Sequence, residues 1–307
     1  MLSFKSNAAI SASLVLAIFL WGGTNIGVKY MVGFWPPIWT GCSRFLCASL
    51  LLLGMLRWTD WLGTPTHVSK ELKRSLWWRG GLSLAVYIVA FNWALRFTSA
   101  SHMALYLGAS PVWALLWEGR PERNWRSMQR YGAAVIALTG VFVLFWPALK
   151  GGRNLWLGEL LALAASILWT NYGRQCRIFG AQMSGVEITA QTMWRAAVLL
   201  FPLVLAEVSS QGLVWRTDLV LIQIYCTMAG GVVAFVLWNN ALRHWPTSQV
   251  FLFNNLIPLS TMAWANLCLN EPVTRTFGVA MLLIVSAVIL GRTNWQILLR
   301  YRWMPPE

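Results

Sequence analysis

Asn92 and Asn239 occupy matching places in two related halves of this chain, each within a run of residues too apolar for water. The same offset pairs His102 with Gln249, and Tyr87, Tyr106, Trp238, Asn240, Asn254 and Asn255 stand nearby in sequence. Trp21, Asn25 and Trp169 recur in an earlier stretch of each half or close to it. Amides both donate and accept hydrogen bonds, and indoles offer a flat apolar face with one donor. Such a set suits holding a small polar molecule with an apolar body better than breaking a bond in it. Helix-to-helix hydrogen bonding, at about 0.6–2 kcal/mol each, would use the same amides. Arg44 and Arg195 also match between the halves and fall inside apolar runs. An Arg at membrane depth costs about 2.5–3.5 kcal/mol on insertion scales. Each therefore either attracts a substrate carboxylate or phosphate, or satisfies helix-end carbonyls and snorkels toward headgroups.

Bond-breaking chemistry has little to build on. No Ser/His pair, paired-Asp site or HExxH occurs, and the aspartates, Asp60 and Asp218, fall in predicted loops. His67, His102 and His244 lack ligand-spaced partners, so neither a metal nor a cofactor is expected. None of the five cysteines forms a CxxC, which leaves them as small buried filler. Glu118, Glu159, Glu187, Glu207 and Glu271 fall near predicted helix ends, where water should reach them. His102 is then the cavity residue of a type that exchanges protons near neutral pH, which makes protons a candidate coupling ion. The competing reading is a structural, hydrogen-bonded histidine.

The elements that must position these residues are membrane spans. Of 307 residues, 57% are hydrophobic and 11% charged, whereas soluble domains carry about 25% charged residues. The 21 tryptophans suit the two bilayer interfaces. Ten stretches are long enough to cross about 30 Å of hydrocarbon as helices. In the first half they are 8–31, 36–56, 80–98, 101–120 and 128–147; in the second, 156–178, 187–207, 217–241, 245–269 and 273–292. The linker from Arg57 to Arg79 reads as a loop with a short surface helix. Pro111 and Pro258, equivalent in the two halves, should kink the fourth and ninth spans.

Most of the 24 basic residues fall on one side if the N-terminus is cytoplasmic, including Arg57, Lys70, Lys73, Arg74, Arg120, Arg123, Arg126 and Arg130. Lys29, Arg96, Lys150, Arg153, Arg216 and Arg275 fall on the other. This bias places both termini in the cytoplasm. Basic loops against anionic lipid account for the net charge of +14, with no nucleic acid as partner. Met1–Tyr30 reads as a full span and not as a cleaved signal. Five crossings per half invert the second unit relative to the first, so residues 8–147 and 156–292 form two inverted repeats, followed by a cytoplasmic tail at 293–307. The expected fold is all-α integral membrane: ten transmembrane helices in two inverted five-helix repeats around a central cavity.

Leu20-Trp21-Gly22-Gly23-Thr24-Asn25 with Arg44-Phe45, then Ala94-Leu95 with Leu107-Gly108-Ala109-Ser110-Pro111, give the chain a family resemblance. Ala241-Leu242 with Asn255-Leu256-Ile257-Pro258 and Asn270-Glu271-Pro272 before Phe277-Gly278 extend it to the second half. The chain resembles the drug/metabolite transporter superfamily, in its ten-helix branch of two EamA-type repeats. That resemblance implies a basket whose cavity is lined by spans 1, 3, 4, 6, 8 and 9, with spans 5 and 10 peripheral. It also implies a secondary transporter of the inner membrane, exporting a small metabolite such as an amino acid, as monomer or homodimer. Import or exchange of a nucleotide-linked compound is the alternative within the class, and a non-transport structural membrane protein the alternative outside it.

Overall fold

A computed structural model of the chain describes residues 7–58, 66, 68–118, 125–150, 153–270 and 274–292. Among the described residues there are helices and no strand. In chain order they are α1 (Asn7–Met31), α2 (Pro37–Trp58), α3 (Lys70–Phe97), α4 (Ala100–Gly108), α5 (Ser110–Glu118) and α6 (Trp125–Lys150). The second half contributes α7 (Arg153–Phe179), α8 (Gly185–Gln211), α9 (Thr217–His244), α10 (Thr247–Phe251), α11 (Leu256–Leu269) and α12 (Arg275–Arg292). The predicted tail, 293–307, lies outside the described residues. Of these helices α1, α2, α3, α8 and α9 are by themselves long and apolar enough to cross a membrane. A helix suits that setting because it satisfies every backbone polar group internally. Leu50, Trp78, Phe201, Leu205, Leu221 and Leu282 face outward, as lipid contact requires.

Three boundaries depart from the sequence expectation. The third span starts at Lys70 and not near residue 80. Ser69 caps it by accepting from the Leu72 N–H, and Leu72 and Leu76 are buried, so the expected surface helix runs straight into the span. The fourth span is two helices, α4 and α5, broken at Ala109. Pro111 has no N–H for the Leu107 carbonyl, which instead accepts the Ser110 hydroxyl at 2.5 Å. The ninth span changes to a 3-10 turn at Leu252–Asn255 between α10 and α11, just before Pro258.

The packing reads the same with the two halves exchanged. The pairs α2 with α8, and α6 with α12, each join equivalent helices of the two repeats. The contact of α7 with α3, α4 and α5 has its counterpart in α1 with α9, α11 and the 3-10 turn before it. Both α3 and α9 contain a π-helical stretch ending in or holding a Gly-Gly, Leu76–Gly81 and Cys226–Ala234. Each stretch packs on the arginine of the opposite repeat. A Cβ at Gly81 would lie 2.7 Å from Arg195 Cβ, and one at Gly231 would lie 3.6 Å from Arg44 Cγ and 3.1 Å from Ala48 Cβ. Gly81→Ala should therefore cost about 1–3 kcal/mol through overpacking. Gly278→Ala, where an added Cβ meets open space, is the control. Thermal unfolding of both in detergent checks this, and equal midpoints would contradict it.

The glutamates correct the expectation that water reaches them. Glu159, Glu187 and Glu207 are all buried. The cause is that neighbouring chain folds back over each helix end and supplies donors. Glu187 accepts from the Thr66 N–H at 2.5 Å, the Thr66 hydroxyl at 3.0 Å and the Ser184 N–H at 2.8 Å. Glu207 accepts from the Ile38 and Trp39 N–H groups at 2.7 and 3.1 Å, at the start of α2. Glu159 accepts from Thr98 Oγ1 at 2.5 Å and lies 2.8 Å from His102 Nδ1. The Glu118 side chain and Glu271 lie outside the described residues.

Candidate substrate cavity

Seven helices converge on one narrow space in the middle of the bundle. Trp21, Thr24 and Asn25 reach it from α1, Arg44 from α2, Tyr87 and Phe91 from α3, and Leu107 from α4. Trp169 comes from α7, Gly230 and Phe235 from α9, and Ile257 from α11. The free space among them is about 30 Å³, room for two or three waters at roughly 10–15 Å³ each. A metabolite would need the walls to move apart.

The walls are an aromatic cage. Trp21 sits 5.3 Å from Trp169, 5.2 Å from Trp238 and 5.4 Å from Phe235, ring centre to ring centre. Trp169 lies 5.1 Å from Tyr87, 5.7 Å from Phe235 and 5.7 Å from Trp238. These separations fall in the range where aromatic pairs attract beyond simple burial, by about 0.5–1.5 kcal/mol each. The Trp21 indole N–H donates to the Gly230 carbonyl at 3.2 Å, tying α1 to the π-helical part of α9. Asn25 donates to Thr261 Oγ1 at 3.0 Å, tying α1 to α11. The Trp169 indole N–H is buried with no partner.

Arg44 is the charge in this cage. It is 4% exposed, and its Nε is buried without a hydrogen-bond partner. The ion pairs among the described residues are His102–Glu159 and Arg216–Asp218, and neither involves Arg44. A buried guanidinium without a counter-ion is costly, and an anion entering the cage would lower that cost. Arg195 is its repeat partner but is placed differently. Its Nη1 donates to Gln191 O at 2.8 Å and Gln191 Oε1 at 2.5 Å, and its guanidinium lies 4.3 Å from the Trp194 ring centre. Arg195 is as buried as Arg44 and its Nε is also without a partner, but its Nη1 is occupied on its own helix and it stands outside the cavity lining, which is where the two arginines differ.

Among the residues singled out in the sequence, Trp21, Asn25, Arg44, Tyr87 and Trp169 come together at the cavity. Trp238 is fully buried behind Trp21 and Trp169. The amides mostly join helices. Asn92 donates to the Pro37 carbonyl at 2.7 Å, Asn239 to Thr189 Oγ1 at 2.9 Å, and Asn254 to Ser110 Oγ at 2.6 Å. The first two are symmetric in effect: the matched asparagines fasten α3 to α2 and α9 to α8. Gln249 is half-buried on α10. His102 and Tyr106 belong to the Glu159 cluster. Pro111 and Pro258 are buried at the two interruptions. Phe91, Phe235, Leu107 and Ile257 also line the cavity and were not singled out. Phe235 could have been found from its helical spacing to Trp238. Leu107 and Ile257 carry no sequence signal beyond their place beside the prolines.

The sequence pattern of the EamA-like transporter family matches residues 9–146 and again 156–292. An "uncharacterized transporter" of Archaeoglobus fulgidus is 23% identical over 92% of this chain and 97% of its own length. A "probable amino-acid metabolite efflux pump" of Escherichia coli K12 is 22% identical over 90% of this chain and 92% of its own. One crystal structure, 19% identical, superposes with a TM-score of 0.67 over 97% of this chain and 100% of that one, a likeness of fold.

Proposed function

Since this chain belongs to the EamA-like transporter family, we propose that it is an alternating-access carrier that exports a small carboxylate with an apolar body, an amino acid above all. It works in the inner membrane with both termini in the cytoplasm. The single observation that carries this reading is Arg44, a buried guanidinium without a counter-ion in an aromatic cage. The substrate carboxylate pairs with Arg44. The substrate's apolar part packs on Trp21, Trp169 and Phe235, and an α-ammonium has the indole faces to rest on. Among the described residues the cavity lining holds one cation. One cation suits a carboxylate better than the two or more charges of a nucleotide-linked compound. The name of the Escherichia coli relative supports the same substrate class.

On this reading the narrow cage is the closed state of the carrier, and its small free space supports that. Opening to either side exchanges the conformations of the two inverted repeats.

Counterflow in liposomes containing the purified chain tests the reading. Labelled phenylalanine should exchange against internal phenylalanine, while phenethylamine, which lacks the carboxylate, and a nucleotide sugar should not. Equal exchange of phenethylamine would remove the role of Arg44. No exchange of any amino acid by correctly folded protein would remove the carrier reading.

A further inference from the structure

A second polar cluster lies away from the cage, where α4 meets the start of α7. His102 Nδ1 is 2.8 Å from Glu159 Oε1, and Thr98 Oγ1 donates to the same oxygen at 2.5 Å. Glu159 Oε2 and the Tyr106 hydroxyl are both buried, and the hydroxyl lies close enough to the carboxylate to interact with it. The carboxylate side chain is 3% exposed and the imidazole 28%. An imidazole that reaches water therefore touches a carboxylate that does not, which is the arrangement of a proton relay and its store.

Among the described residues, the ionisable groups that face the pair are few. Tyr106 comes from α4 itself. Lys29 comes from α1, with its ammonium donating to the Leu95 and Thr98 carbonyls at 2.8 and 2.7 Å. Arg96 of α3 turns to the Val32 carbonyl, and Cys268 of α11 is exposed. Without an added proton, neutral imidazole and carboxylate together carry one negative charge. With it, as imidazolium and carboxylate or as imidazole and carboxylic acid, the pair is neutral. One proton thus changes the charge at a joint between helices. Those helices also form the cage: α3 carries Tyr87 and Phe91, α4 carries Leu107, and α7 carries Trp169.

We propose that His102 and Glu159 together bind one exchangeable proton from the outer water, and that this proton is coupled to substrate export. The coupling half of the inference rests on the carrier reading above; the proton site itself does not. Proton uptake weakens the hold of Glu159 on the Thr98 turn, and that turn joins two cavity-lining helices.

Infrared difference spectra of the whole chain in lipid, between about pH 5 and pH 8, read the site without any substrate. The wild type should show a change in the carboxylate band, to carboxylic acid or to a carboxylate paired with imidazolium, together with an imidazole change. Glu159→Gln should remove the first, and Thr98→Val should move it to another pH. A carboxyl signal unchanged in Glu159→Gln would overturn the proton site. In liposomes a pH gradient should accelerate labelled phenylalanine flux by the wild type. Glu159→Gln and His102→Gln should keep counterflow at zero gradient and lose that acceleration. Equal acceleration in the variants would overturn the coupling. Absence of wild-type counterflow would instead remove the carrier reading and the coupling with it, while the infrared difference still decides the proton site.

Discussion

Arg44→Gln should raise the phenylalanine concentration needed for half-maximal counterflow by roughly 30-fold or more. Truncating one partner of a buried, hydrogen-bonded charge pair costs about 2–5 kcal/mol, and each 1.4 kcal/mol is about tenfold in affinity. The lower end of that range, about 2 kcal/mol, already gives roughly 30-fold, and among the described residues the buried guanidinium takes part in no ion pair. Part of the effect is offset in the variant, since an uncompensated buried charge has also been removed and the empty carrier should become slightly more stable. The two effects separate by measurement. Thermal unfolding should be unchanged or higher, while the preference for phenylalanine over phenethylamine collapses. A variant that unfolds earlier yet keeps its preference would mean that Arg44 braces α2 against α9 and does not meet the substrate. The matching Arg195→Gln change should leave the preference intact, because Arg195 bonds to Gln191 of its own helix away from the lining.

Trp169→Ala should cost about 3–5 kcal/mol of stability, the range for removing a large aromatic from a packed core. Trp169 contacts Trp21, Tyr87, Tyr172, Phe235, Trp238 and Phe251 with ring centres 5.1–6.2 Å apart. In a membrane the loss comes from forfeited packing and not from water, since lipid tails are as apolar as the core. Trp169→Phe keeps most of the contact area and should lose far less. In the alanine variant the added space should also relax selectivity, letting larger amino acids exchange. Detergent unfolding and a counterflow panel check both parts. A Trp169→Ala protein as stable as the wild type would show that the cage is loosely packed in the membrane.

The helices and the pairing of the two halves were legible because hydrophobic length and internal similarity can be read segment by segment. The aromatic cage was half legible. Trp21 and Trp169 announced themselves as matched tryptophans, but Phe235 and Phe91 became wall residues only through helix packing. Asn92 and Asn239 each spend their amide N–H on an interhelical bond, a use that their residue type and spacing do not separate from substrate binding. The burial of Glu159 was not legible. Its position near a helix end suggested water, while the Thr98 turn that covers it comes from a helix about sixty residues earlier in the chain. Such coverage is tertiary and leaves no local pattern. The unequal surroundings of Arg44 and Arg195 were hidden in the same way, since the two sit at equivalent repeat positions.

The π-helical stretches of α3 and α9 have a mechanical meaning. A π turn stores slack: it holds one more residue per hydrogen-bonded loop than the α-helix around it. Releasing that residue into regular helix would rotate everything beyond it by about 100°, one step of an α-helix. The Tyr87 and Phe235 rings lie beyond these stretches on their helices. On the carrier reading proposed above, releasing one such residue would swing an aromatic wall of the cage, and the two repeats carry this device at equivalent places, like a pair of matched screws.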